Sequence, residues 1–176
     1  QPIVGFAQSI IRQDGTNLGN NQVTDIWAEK VINDNVAINR FQQFQLDAGK
    51  IANMYFNELN RQDADVNNLV NFVDTRIDIN GTVNAIQNSQ IGGNLFFLSK
   101  EGMAVGKSGV INTGSLYVMT PTQDFMDAAK TIATTAPDET AADKLAHITN
   151  ITTDAASWQA IPLNSSGTIT VLGKVN

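Results

Sequence analysis

The chain reads as an all-β protein folded as stacked coils, a parallel β-helix, and three observations lead there. From Ile77 to Thr122, short β-branched and aromatic runs (Gly81 to Ile86, Leu95 to Leu98, Ala104-Val105, Val110-Ile111, Leu116 to Met119) alternate with Gly, Asn and Ser-Lys-Glu-Gly turns. No helix intervenes. The corners are only about three to five residues long, which suits a hairpin or a solenoid coil better than a helical crossover. One motif also returns: Gly81-Thr82-Val83-Asn84 is echoed by Gly109-Val110-Ile111-Asn112, by Gly167-Thr168-Ile169-Thr170 and by Gly173-Lys174-Val175-Asn176. Such recurrence argues for strands lying about 4.8 Å above their equivalents. A β-sandwich with Gly corners is the alternative on these spacings.

The elements follow in order. Pro2 to Ile11 reads as an apolar strand that closes the end of the solenoid, and Arg12 to Thr16 as an Asp-Gly turn. After Asn20-Asn21-Gln22, the run Val23 to Val31 divides into two faces, neither cleanly apolar. Val36 to Leu46 is the better strand: Phe44 and Leu46 share a face by alternation, and Phe41 joins them if the strand bulges between Phe41 and Phe44. Asp47 to Lys50 turns, Ile51 to Phe56 returns as a strand, and the polar stretch Asn57 to Asn68 is a surface loop. Leu69 to Val73 leads into the coils. At Thr122 the pattern breaks, because Phe125, Ala128, Ala129 and Ile132 take helical spacing behind a hydroxyl and an acid. A second helix starts at Pro137-Asp138-Glu139 and runs through Ala141, Leu145 and Ile148. The chain then returns through Ile161 to a further coil at Thr168 to Asn176. One domain is expected over 1–176: cap and first strands at 1–35, coils at 36–121, a helical insert at 122–148 and a further coil at 161–176. The pattern stops without a polar cap, so the expectation is a longer solenoid.

The 176 residues carry 17 acidic and 11 basic side chains, with a pI near 4.5. No basic stripe offers itself to phosphates, which argues against nucleic acid. There is no cysteine, so thiol catalysis and thiolate metal sites are excluded. No apolar run reaches a membrane span and no basic n-region precedes Gln1, so the expectation is a chain that starts as a mature protein. His147 is the lone histidine and reads as a structural residue on a helix face. Asp74 and Asp78, with Arg76 between them and Glu101 a coil away, are the acidic set to weigh against β-helix carbohydrate-active enzymes. A solvated outer face is the simpler reading. Asp63-Ala64-Asp65 lacks the rest of an EF-hand loop. Gly102 to Gly109 contains Gly-Lys-Ser without the upstream Gly or the following helix of a phosphate loop. Neither a cofactor nor a metal is expected.

Val36 to Phe56, VAINRFQQFQLDAGKIANMYF, followed by Leu69 to Thr122, resembles the haemagglutination-activity (filamentous-haemagglutinin-type) domain at the amino end of two-partner-secretion exoproteins. The resemblance covers roughly Val23 to Thr122. It rests on Asn39-Arg40-Phe41 with Phe44, Leu46, Gly49 and Ala52-Asn53, on the Gly81 to Gly93 coil, and on Leu95 to Ser115. Where that family has Asn-Pro-Asn-Gly-Ile/Met at the corner after its LFFL-like strand, this chain has Ser99-Lys100-Glu101-Gly102-Met103. Val66-Asn67-Asn68-Leu69 stands nearest to the family's Asn-Pro-Asn-Leu. The resemblance implies a right-handed parallel β-helix with an amino-terminal cap. It also implies a non-enzymatic export module, recognised in a Gram-negative periplasm by the POTRA domains of a dedicated outer-membrane barrel and then seeding folding of a secreted or surface adhesin. A monomer is expected. Val36 to Phe56 and the Ser99 to Met103 corner are the candidate recognition or folding motifs. Two other readings are a glycan- or receptor-binding surface, marked by a groove lined by Tyr55, Tyr117 or Trp158, and a carbohydrate-active β-helix enzyme using Asp74 or Asp78.

Overall fold

The computed structural model describes residues 9–19, 21–32, 35–61, 66–134, 139–154 and 156–176, apart from the side chains of residues 139, 140 and 158. The chain is mostly β. It begins with the short strands β1 (Ile10–Arg12), β2 (Asn17–Gly19), β3 (Val23–Ile26) and β4 (Lys30–Ile32). Next come β5 (Val36–Leu46), β6 (Ile51–Tyr55), β7 (Asn68–Val73), β8 (Ile77–Ile79), β9 (Thr82–Gln87), β10 (Gln90–Ile91), β11 (Asn94–Leu98), β12 (Gly102–Val105), β13 (Val110–Asn112) and β14 (Ser115–Met119). The helices α1 (Gln123–Lys130), α2 (Glu139–Thr149) and α3 (Ala156–Gln159) separate these from β15 (Thr168–Val171) and β16 (Lys174–Val175).

Three parallel ladders carry the fold. The first half of β5 pairs with β7, then β11, then β14, so that Ala37, Leu69, Leu95 and Leu116 stand in register. The end of β5 pairs with β8, then β12, then β15. The third ladder runs β3, β6, β9, β13, β16. From β5 onward the chain visits the ladders in one unchanging order. The recurring Gly-x-β-Asn units explain why: Thr82-Val83-Asn84 lies directly against Val110-Ile111-Asn112, and Val110-Ile111 against Lys174-Val175. One echo belongs elsewhere. Thr168-Ile169-Thr170 pairs with Gly102-Met103-Ala104, so it enters a different ladder, and its Thr170 replaces the Asn that the other three share.

The amino-terminal strands run antiparallel to this system: β1 pairs with both β2 and β5, and β4 with the start of β5. The residues from Pro2 to Gln8 that were expected to extend β1 lie outside the described part. Val23 to Val31 is not one strand. It breaks after Ile26, with Thr24, Ile26 and Ala28 buried and Val23 and Asp25 exposed, and its end turns onto β5 as β4. The bulge in β5 is present: Ile11 faces Gln43 while Arg12 faces Phe41, leaving Gln42 unpaired. The extra residue restores the inward direction, so Phe41, Phe44 and Leu46 are all buried.

Two apolar cores result. The inner one, enclosed by the three ladders, holds Phe41, Phe44, Met54, Phe56, Leu69, Ile77, Val83, Phe97, Val105 and Ile111 among others. The outer one lies on the far side of the β5–β7–β11–β14 ladder, where Ile38, Val70, Phe72, Phe96 and Leu98 pack under Phe125, Met126, Ala129, Ile132, Leu145 and Ile148. Asn-Leu-Phe-Phe-Leu is therefore apolar without alternation because it is covered on both faces. The helical insert is the cover. Thr122 caps α1, its hydroxyl accepting from the Phe125 amide at 3.3 Å, and the buried stripe takes Met126 in place of the expected Ala128. Pro137 and Asp138 lie outside the described residues, but Ala141, Leu145 and Ile148 of α2 are buried as their spacing predicts. Beyond the expected insert, a single helical turn at Asn150–Thr152 and α3 continue the cover. Among the described residues no helix is long and apolar enough to cross a membrane.

Candidate functional site

The expected motif residues fall into three places. Asn39 lies inside, in the same stripe as Ala37 and Phe41, and organises a buried polar chain. Its Oδ1 accepts from Arg12 Nη1 at 2.9 Å and from the Glu29 amide at 3.1 Å, and its Nδ2 donates to Asn71 Oδ1 at 3.0 Å. Asn71 in turn donates to the Phe96 carbonyl at 3.0 Å. Arg12 also reaches the Trp27 carbonyl at 2.6 Å and lies over the Phe41 ring, 5.6 Å from its centroid. Burial lowers the pKa of that guanidinium, opposed by the charges of Glu29 and Asp14, yet it stays protonated at neutral pH. Next to it Arg40 and Glu29 form a two-armed ion pair, with Nε to Oε1 at 3.1 Å and Nη2 on Oε2, and these bonds raise the pKa of Arg40. Thus β1, the β3–β4 link and β5 are joined by charge-assisted bonds at one end of the inner core. Phe44 completes the plug, edge-on to Phe41 and to Phe97 at 5.3 Å from each.

The Ser99 to Met103 corner stands on the same edge as the β5 bulge. Thr75 Oγ1 donates to the Gln42 carbonyl at 3.1 Å, and Ser99 Oγ donates to the Thr75 carbonyl at 2.8 Å. The two candidate motifs thus share one column of corners, with Thr75 between them. Ser99 is buried while Lys100 and Glu101 are exposed. Gly102 has φ +96°, and a Cβ there would stand 1.8 Å from the Thr168 carbonyl oxygen, so only glycine fits. Asn164 Nδ2 closes the column from the far side by donating to the Lys100 carbonyl at 2.7 Å. Gly49, at φ +81°, makes the Asp47 to Lys50 turn that carries the chain from β5 to β6.

Asn53 belongs to neither group. It is one rung of a side-chain ladder on the outside of the third sheet: Asn176 donates to Asn112 at 2.9 Å, Asn112 to Asn84 at 2.8 Å, Asn84 to Asn53 at 3.0 Å, and Asn53 to Asp25 at 3.1 Å. Successive members are 64, 28, 31 and 28 residues apart in sequence. Ala52, its neighbour, faces the inner core.

The acidic set does not converge. Asp74 is bonded to Lys130 of α1 at 3.0 Å and to Gln13 at 3.0 Å, whereas Asp78 is bonded to Arg76 at 2.9 Å. Ala104, not Glu101, lies opposite Asp78. Asp63 and Asp65 lie outside the described residues. His147 pairs with Asp143 one helical turn away at 3.2 Å, and Gly106 to Ser108 turn into β13, a strand. Tyr55 and Tyr117 stand on different sheets: Tyr55 stacks on Trp27, and Tyr117 stacks on Phe96. The side chain of Trp158 is not described. Arg12, Glu29 and Asn71 were missed from the sequence, where nothing but their polarity in or beside apolar strands marks them; Arg40 stood inside the Asn39-Arg40-Phe41 motif, but its partner Glu29 did not.

Comparison of the chain with known protein families, with curated proteins and with solved structures returned no match.

Proposed function

We propose that the three ladders form a right-handed parallel β-helix whose first turn is capped by β1, β2 and β4. In this reading the domain is a non-enzymatic secretion module. It is recognised in the periplasm by the POTRA domains of a two-partner-secretion barrel, and it seeds the folding of a larger exoprotein at the cell surface. The observation that carries the proposal is the combination of a residue-for-residue parallel stack with an antiparallel cap tied to its first strand through Arg12, Asn39, Glu29 and Arg40. Such a cap satisfies the edge of the first layer, and later layers then add onto an ordered template. The resemblance over Val23 to Thr122 supplies the export assignment. The candidate contact surface is the column that runs from the β5 bulge through Thr75 to the exposed Lys100 and Glu101.

The test is export of the 176-residue chain behind a signal peptide, in a Gram-negative host with and without a barrel of the two-partner type encoded beside it. Release into the medium only with the barrel supports the proposal. Equal retention of folded protein in the periplasm of both strains refutes it.

A further inference from the structure

We propose that the cleft between Trp27 and the loop at residues 57–61 binds a neutral glycan, one pyranose ring stacking against the indole and Leu59 and hydrogen-bonding to Asn60. This inference does not rest on the export reading.

The cleft is lined by Trp27, Asn57, Leu59, Asn60 and Arg61. Both walls are held before any ligand arrives. Trp27 is stacked on Tyr55, with centroids 3.9 Å apart and planes 11° apart, and the Tyr55 hydroxyl is anchored on Asp25 at 3.2 Å. The Trp27 carbonyl is held by Arg12. On the opposite side Asn57 Nδ2 closes the loop on itself, donating to the Glu58 carbonyl at 3.1 Å and the Arg61 carbonyl at 2.7 Å, while the Asn57 carbonyl accepts from the Ala28 amide at 3.0 Å. The loop is therefore fastened to the strand link that carries Trp27.

Between Asn57 and Arg61 the loop presents one apolar and one polar side chain toward the cleft. Leu59 is 59% exposed, and Asn60 sits at the tip with φ +62°, a left-handed conformation that an asparagine adopts more readily than other non-glycine residues. An exposed leucine beside a braced indole gives an apolar floor and side. The exposed Asn60 amide adds a donor and an acceptor at the rim. A rigid apolar surface with a few placed polar groups is the usual make-up of a small-ligand site, and a pyranose ring matches it with a C–H face for the aromatic and hydroxyls for the amide. The charge points to a neutral sugar: Arg61 is matched by Glu58 at 3.2 Å, so no unbalanced cation is offered to a carboxylate or sulfate.

The experiment uses the whole 176-residue chain, labelled with 15N, and a panel of neutral oligosaccharides (lactose, maltose, cellobiose and mannobiose) with a sialylated and a sulfated sugar as charged probes. The indole N–H signal of Trp27, assigned by its absence from Trp27→Phe, is followed to about 10 mM sugar, the range of weak single-site binding. At least one neutral sugar is expected to shift it saturably, and Asn60→Gly and Leu59→Ala are each expected to weaken that binding about tenfold. Asn60→Gly keeps the left-handed backbone and Leu59 is exposed, so both variants should unfold at the wild-type temperature, which separates lost binding from lost fold. No shift with any neutral sugar, a shift with the charged probes only, or affinity unchanged in both variants would overturn the proposal.

Discussion

Replacing Asn39 with alanine tests whether the cap is held by polar bonds or merely rests on an apolar end. The substitution removes both acceptor bonds at Oδ1 and the donor at Nδ2. It strands Asn71 Oδ1, a loss of about 1–3 kcal/mol for a buried polar atom left unpaired, and takes from Arg12 a charge-assisted bond of about 1.5–3 kcal/mol, while the Glu29 amide keeps the Ile38 carbonyl at 3.0 Å. Arg12 keeps the Trp27 carbonyl but loses its side-chain partner in a site from which water is largely excluded. The sum is about 4 kcal/mol, and with a urea m-value of about 2 kcal/mol/M it lowers the unfolding midpoint by about 2 M. The assay is urea denaturation followed by tryptophan fluorescence. The double variant Arg12→Met/Asn39→Leu, which removes the charge together with its acceptor, should recover part of the loss, because the cost lies in unpaired groups and not in missing contact. A midpoint in Asn39→Ala within about 0.3 M of wild type, or a double variant weaker than the sum of its parts, would refute the reasoning.

Three further substitutions probe the inner core, the corner column and the stacked tyrosine. Phe44→Ala empties a fully buried site between Phe41 and Phe97 and should cost about 3–5 kcal/mol by denaturation; an unchanged midpoint would remove Phe44 from the core. Gly102→Ala puts a Cβ into the Thr168 carbonyl and should detach β15, seen as faster amide exchange at Thr168 to Val171 while β7 stays protected. Burial, helped by Asp25, raises the pKa of Tyr55. The folded chain holds that proton more tightly than the unfolded one, so this contribution is intact below the ordinary tyrosine pKa of about 10 and is lost as pH rises through the folded value. Tyr55→Phe should therefore show a shallower alkaline decline in melting temperature than wild type, and identical declines would contradict the assignment.

How much of this was written in the sequence depends on how far apart the partners lie. The β5 bulge was legible because Phe41, Phe44 and Leu46 fit one face only with one extra residue, a constraint that is local. The α1 start was legible for the same reason, since Thr122 and Phe125 are three residues apart. The cover over the β11 strand was half legible: Leu95 to Leu98 is apolar at every position, which announces two buried faces, but nothing local says that α1 and α2 supply the second. The Asn39–Arg12 bond joins residues 27 apart whose only shared signal is polarity beside apolar neighbours. The Gly167 to Thr170 echo was misplaced because its glycine matches and its Thr170 does not. In that motif the asparagine, not the glycine, marks membership of the third ladder.

That asparagine column has a direction, and the direction is set at one end. An ionised carboxylate only accepts hydrogen bonds, so Asp25 obliges Asn53 to turn its NH2 toward it, leaving Asn53 Oδ1 to accept from Asn84 and so on through Asn112 to Asn176. A stack of amides alone would have no such bias. The consequence can be measured with Asn84→Asp, which keeps the shape and removes the donor, so that two acceptors face each other across the gap to Asn53. At neutral pH it should be more destabilising than Asn84→Ala, by about 1–2 kcal/mol, because alanine loses the bonds without adding repulsion. The repulsion raises the pKa of the introduced carboxyl above its unfolded value, so folding favours its protonated form. The penalty is therefore full above the folded pKa and fades as pH falls below it, where the introduced group, once protonated, again donates to Asn53. If Asn84→Asp and Asn84→Ala are equally stable at neutral pH, or if their difference does not close under mild acid, the column is a row of neighbours without polarity and Asp25 is merely its first member.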